Sequence, residues 1–145
     1  MEDNQMIAHV EMDMDATPAA IWEALTDAKM IKQYMMGADV KSSWKPGSEI
    51  IWKGEFKGQP FQDHGKVLEA VPGERLKYSH SSGSSASKGN RENEHIVTIT
   101  LTDYGNRTYV KLTQDHNSSD KEIAESQKNW KAMLEGLKGL VEKSN

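Results

Sequence analysis

Ser119-Asp120-Lys121-Glu122-Ile123-Ala124-Glu125-Ser126-Gln127-Lys128-Asn129-Trp130-Lys131-Ala132-Met133-Leu134-Glu135-Gly136-Leu137-Lys138-Gly139-Leu140-Val141 is the stretch whose reading decides the fold. Ser119 and Glu122 have the spacing of a capping box, in which each side chain satisfies a backbone N–H that the first helical turn leaves free. Beyond them Ile123, Trp130, Leu134, Leu137 and Val141 fall at helical spacing, with Met133 and Leu140 beside the stripe. At about 1.5 Å per residue the helix measures roughly 35 Å, enough to cross a small domain. Gly136 and Gly139 interrupt it at about 1 kcal/mol each relative to alanine, so close packing or bending is expected there. A helix this long with one apolar stripe needs a broad apolar surface to lie on.

The residues before it supply that surface as strands. Val97, Ile99 and Leu101 alternate with polar residues, and so do Val110 and Leu112. Setting Leu101 opposite Val110 and Ile99 opposite Leu112 leaves the turn Tyr104-Gly105-Asn106-Arg107. A slip of one residue places Lys111 opposite Ile99 and exposes the apolar set, so the register is well specified. A second hairpin turns at Pro72-Gly73, with Val67, Glu69 and Val71 before it and Leu76, Tyr78 and His80 after it. Residues 81–90, Ser-Ser-Gly-Ser-Ser-Ala-Ser-Lys-Gly-Asn, carry no large apolar side chain and read as a loop, one that can gate a cavity mouth. Further back, Ile50, Trp52, Gly54 and Phe56 alternate with charged residues, and Ala38 to Lys41 forms a short strand. Trp44-Lys45-Pro46-Gly47 reads as a turn.

The N-terminal part contributes one more strand and two short helices. Met6, Ala8, Val10, Met12 and Met14 share one face, and Ile7, His9, Glu11 and Asp13 the other. Thr17 caps a helix that opens on Pro18 and carries Ile21, Trp22 and Leu25. Asp27 caps a second helix holding Met30, Ile31 and Tyr34, and Gly37 stops it. Strand, two short helices, about six more strands and a long helix make an α+β fold, residues 1–145 forming one domain.

Composition narrows the functional classes. The chain has 145 residues and a formal net charge of -4, and 36% of its residues are hydrophobic. Mean hydropathy is -0.75. Duplex DNA and anionic membranes both require a basic face, so no nucleic acid is expected as partner. No apolar run approaches the ~18 residues of a membrane span, so no membrane insertion is expected. The absence of Cys excludes disulfides, thiolate metal sites and a Cys nucleophile. Met1-Glu2-Asp3-Asn4-Gln5 is acidic and polar, unlike a signal peptide, and a cytoplasmic location is the expectation.

Several local patterns, in this order, resemble the START-like (SRPBCC, helix-grip) superfamily, and within it the family of the activator of the 90-kDa heat-shock protein ATPase (AHSA-type domain). Thr17-Pro18 is followed by Ile21-Trp22-Glu23-Ala24-Leu25-Thr26-Asp27 and by Ile31-Lys32-Gln33-Tyr34. Trp44 and Gly47 precede Ile50-Ile51-Trp52. Gly65-Lys66-Val67-Leu68-Glu69 runs on to Pro72 and to Arg75-Leu76-Lys77-Tyr78, and Trp130, Leu134 and Leu137 lie on the terminal helix. The resemblance implies a curved seven-stranded antiparallel sheet wrapped around the C-terminal helix, with a cavity between them. In such a fold Trp52, Phe56, Phe61, Tyr78, Trp130, Met133, Leu134 and Leu137 lie between sheet and helix. Tyr78 and His80 add polar contacts to an apolar wall, the usual make-up of a small-molecule site.

The function implied is binding of an apolar or amphipathic small molecule, in a monomer or weak dimer. Two alternatives stand beside it: a co-chaperone-like module acting on a heat-shock chaperone in a stress response, and a cavity enzyme of the cyclase, dehydratase or hydrolase kind. No acid–base pair at defined spacing supports catalysis, and no GxSxG elbow, P-loop or GxGxxG is present, so no catalytic residue and no cofactor is assigned. His9, His64, His80, His95 and His116 include no close ligand pair. No metal site is assigned, and they read as partly exposed strand residues, although His80 and His95 can neighbour each other across a hairpin.

Overall fold

A computed structural model describes residues 7–35, 37–56, 58–81, 95–115 and 119–143. The elements are β1 (Ala8–Met14), α1 (Pro18–Thr26), α2 (Ala28–Tyr34), β2 (Asp39–Lys41), β3 (Glu49–Phe56), β4 (Gln59–Val71), β5 (Arg75–Ser81), β6 (His95–Asp103), β7 (Thr108–Gln114) and α3 (Asp120–Lys143). The strands form one seven-stranded antiparallel sheet in the order β1-β7-β6-β5-β4-β3-β2. The fold is α+β of the helix-grip type, with α3 packed against β1, α1 and α2. Met6, His116 and the loop proper, residues 82–90 of the stretch read as a gate, lie outside the described residues, as does the side chain of Phe56.

The local signals act as their chemistry requires. Thr17 Oγ1 accepts from Ala20 N at 3.2 Å and so caps α1. Asp27 Oδ1 accepts from Lys29 N at 2.8 Å and from Met30 N at 3.2 Å, capping α2. Gly37 stops α2 at a φ of 76°, a conformation that costs glycine little. The Ser119 hydroxyl accepts from Glu122 N at 3.1 Å at the start of α3. The β6–β7 register is the expected one, with Ile99 opposite Leu112 and Leu101 opposite Val110.

The β4–β5 hairpin turns at Pro72-Gly73 as read, but the alternation of Val67, Glu69 and Val71 does not run through β4 unbroken. A bulge between Val67 and Glu69 inserts Leu68, which is exposed, and reverses the alternation after Val67. Ala70, not Glu69 or Val71, therefore stands opposite Leu76 on the core face. Glu69 is turned outward and accepts a 2.7 Å hydrogen bond from Arg75 Nη2. The core runs the length of the sheet. Met14, Ile50, Val67, Leu76, Val97, Ile99, Val110 and Leu112 rise from the strands to meet Ile21 of α1 and Leu134, Leu137 and Val141 of α3.

Gly136 lies against α2: a Cβ there would stand 3.1 Å from Tyr34 Cβ, so the glycine permits a close crossing. Gly139 faces open space, with nothing within 4 Å of such a Cβ, so of the two glycines Gly136 is the closely packed one. At the far end of α3, Glu142 Oε2 accepts from Asp15 N at 2.8 Å and from Lys138 Nζ at 2.6 Å, clasping the helix to the end of β1.

Candidate functional site

Between the half of α3 nearer its N-terminus and strands β3 to β5 the packing is incomplete. A space of about 150 Å³, partly open to solvent, is bounded by Met35, Ala38, Trp52, Phe61, Asp63, Tyr78, His80 and Trp130. Deeper, a gap of only about 20 Å³ lies among apolar side chains that include Tyr34, Trp44 and Met133, and it shares Met35, Trp52 and Tyr78 with the larger space.

Register explains how the walls assemble. Trp52 stands opposite Asp63, and Gly54 opposite Phe61, across β3 and β4. Gly65 of β4 stands opposite His80 of β5, and Val67 opposite Tyr78. Both glycines make room for rings. A Cβ on Gly54 would come within 2.8 Å of the Phe61 ring, so that ring lies over the opposite glycine. A Cβ on Gly65 would stand 3.1 Å from Trp52 Cη2 and 2.0 Å from the Ser79 carbonyl oxygen. The sheet is thus drawn tight under the indole. Trp52 meets Tyr78 with ring centroids 5.6 Å apart and meets the His80 ring edge-on at 5.0 Å.

Trp130 closes the space from α3. Its indole Nε1 donates a 2.6 Å hydrogen bond to Gln114 Oε1, and Gln114 Nε2 donates to Ser126 Oγ at 3.2 Å. The indole is therefore held by β7 as well as by its own helix.

The polar edge comes from β4 and β5. His80 Nε2 lies 3.0 Å from Asp63 Oδ2. A carboxylate only accepts, so the neutral imidazole donates from Nε2 and keeps Nδ1 as an acceptor. Tyr78 is 5% exposed. Burial pushes its phenol well above the ordinary tyrosine range, so the hydroxyl stays protonated. No hydrogen-bond partner for that hydroxyl is found among the described residues. Tyr34, by contrast, donates to the Ala24 carbonyl at 2.7 Å.

Of the residues singled out from sequence, Trp52, Phe61, Tyr78, His80 and Trp130 border the larger space, and Met133 borders only the small gap. Leu134 and Leu137 are fully buried in the core and border neither. Asp63, Met35 and Ala38 also border the larger space and were not among those candidates. Asp63 was within reach of sequence, because it follows Phe61 by two residues on the same strand face. Met35 and Ala38 follow α2 without periodicity, and only the tertiary path of that segment brings them in. His80 and His95 are direct neighbours across β5 and β6. Each has its own partner: His95 Nδ1 lies 2.9 Å from the Asp115 carbonyl oxygen and Nε2 3.6 Å from Glu122 Oε2. Among the described residues no group of three His, Asp or Glu side chains is arranged to hold a metal.

Comparison with known proteins adds the following. The family described as "Activator of Hsp90 ATPase homolog 1-like protein" matches residues 15–142. A protein from Cytophaga hutchinsonii solved in solution is 44% identical, with 95% of this chain and 94% of that one covered and a TM-score of 0.82. The Aha1 dimer of Colwellia psychrerythraea has 23% identity, 94% and 96% coverage and a TM-score of 0.72. CalU16 of Micromonospora echinospora has 20% identity, 89% and 71% coverage and a TM-score of 0.70. At those identities the last two show likeness of fold alone. No curated protein matches.

Proposed function

Since the chain belongs to the family of activator of Hsp90 ATPase homolog 1-like proteins, we propose that it is a single-domain binding protein for a small amphipathic molecule, held between the sheet and α3. The observation that carries this reading is the space of about 150 Å³ walled by Trp52, Phe61, Tyr78 and Trp130 with His80 and Asp63 at its edge. An apolar cavity of about that volume takes a benzene-sized guest. It is smaller than the ~300 Å³ at which sites for drug-sized ligands begin. The fit is to one ring or to the buried end of a longer molecule, the remainder reaching solvent through the open side.

Binding of toluene, followed through Trp emission and calorimetry, tests the reading. Dissociation near 0.1 mM, about -5.5 kcal/mol, is reasonable for so small a guest. Ala38, rather than Met133, is the position to fill, because the gap beside Met133 is too small for added volume. Ala38→Leu is expected to weaken toluene binding at least tenfold while changing stability by no more than about 1–3 kcal/mol. If no ring compound binds, the reading falls. Stimulation of a heat-shock ATPase, the activity in the family's name, then becomes the property to assay.

A further inference from the structure

The polar edge of the space selects what the guest must carry. We infer that the site takes a neutral hydroxyl-bearing ring, its hydroxyl donating to His80 Nδ1 and accepting from Tyr78 Oη, and that it rejects the corresponding carboxylate; this rests on the binding reading above.

Three features carry the inference. Tyr78 is buried, borders the space, and its hydroxyl has no partner among the described residues. Burying a hydroxyl without a hydrogen bond costs free energy, and a phenylalanine in its place would avoid that cost while filling the same volume. The second feature is the tautomer of His80. With Nε2–H committed to Asp63 at 3.0 Å, the neutral ring presents Nδ1 as a bare acceptor. The Trp52 indole against its edge fixes the ring's orientation.

Third is charge. Asp63 borders the same space, and its side chain is 22% exposed. A guest carboxylate would be brought towards that charge and would meet one protein donor where it needs several, which is unfavourable away from bulk water. A hydroxyl carries both a donor and an acceptor and matches the pair. Tyr78 and His80 are two residues apart on one face of β5, and both border the space.

Phenol, toluene and benzoate, similar in size and different in polar group, are the probes. Titration by calorimetry at pH 8 is expected to show phenol at least tenfold tighter than toluene and benzoate weakest. Tyr78→Phe is expected to erase most of the phenol advantage, to leave toluene unchanged, and to raise the melting temperature of the unliganded protein. His80→Phe keeps a ring against Trp52 and removes the acceptor, and it too is expected to lower phenol affinity selectively; its thermal melt reports whether the fold survives. If toluene binds and phenol gains nothing, or benzoate binds tightest, the hydroxyl site is overturned while the cavity reading stands. If none of the three binds, both fall. A melting temperature lowered by Tyr78→Phe also overturns the inference, because the hydroxyl would then be satisfied within the protein.

Discussion

Two strand glycines, Gly54 and Gly65, leave room for the rings of the site. Gly65 lies tight against β5, and an added Cβ would stand 2.0 Å from the Ser79 carbonyl oxygen. Backbone cannot yield that distance without breaking the ladder. Gly65→Ala is therefore expected to cost roughly 3 kcal/mol or more in urea melts. Gly54 differs, because the obstacle is the far edge of the Phe61 ring at 2.8 Å, and a ring can swing. Gly54→Ala is expected to cost about 1 kcal/mol or less and to move Phe61 within the space. Equal losses at the two positions would mean that the rings, not the backbones, set the spacing of these strands. Their presence inside strands was a legible signal for close approach, although what approached was not.

At the level of elements, α3 answers to two different neighbours along its length. Gly139 faces open space, so alanine there gains helix propensity with no obstacle, and Gly139→Ala is expected to raise stability by up to about 1 kcal/mol. At Gly136 the Cβ would stand 3.1 Å from Tyr34, and the same substitution is expected to bring less gain or a loss. Chemical melts of the two variants side by side check this, and a larger gain at Gly136 would contradict the close α2–α3 crossing. The far end of α3 is held by Glu142, whose carboxyl lies below its usual value of 4.5 because the Asp15 backbone N–H and then Lys138 hydrogen-bond its charged form. A folded-state pKa below the unfolded one means that the stabilisation is present above about pH 4.5 and is lost as pH falls through the depressed value. The stability gap between the protein and its Glu142→Gln variant should hold steady from pH 8 to about 5 and close in more acidic buffer. A gap that widens towards acid would reverse the assigned sign.

Over the whole molecule, β1 pairs with β7, and the Thr108 hydroxyl donates to the Ala16 carbonyl at 2.8 Å, so the first and last strands close on each other. The three-residue β2 is held on one side only. Amide exchange is expected to be slowest in β5, β6 and β7 and fastest in β2, a gradient that follows burial and pairing. Uniform protection would mean that the sheet opens only as one unit. The helix-grip class came from a family resemblance, whereas the elements, the β6–β7 register, the caps of α1 and α2 and the length of α3 were legible in the chain. Each of these rests on local periodicity or on a side chain bonding its own backbone, and such forces act between residues close in the chain. The bulge after Val67, the close approach at Gly136 but not at Gly139, and the pairing of His80 with Asp63 were decided only in three dimensions. The same holds for Met133, drawn into the core beside a gap too small to use, and for Met35 and Ala38, drawn to the larger space. How far two walls stand apart is the residue of many packing contacts between distant segments, and no periodicity in the chain encodes a difference of a few ångströms.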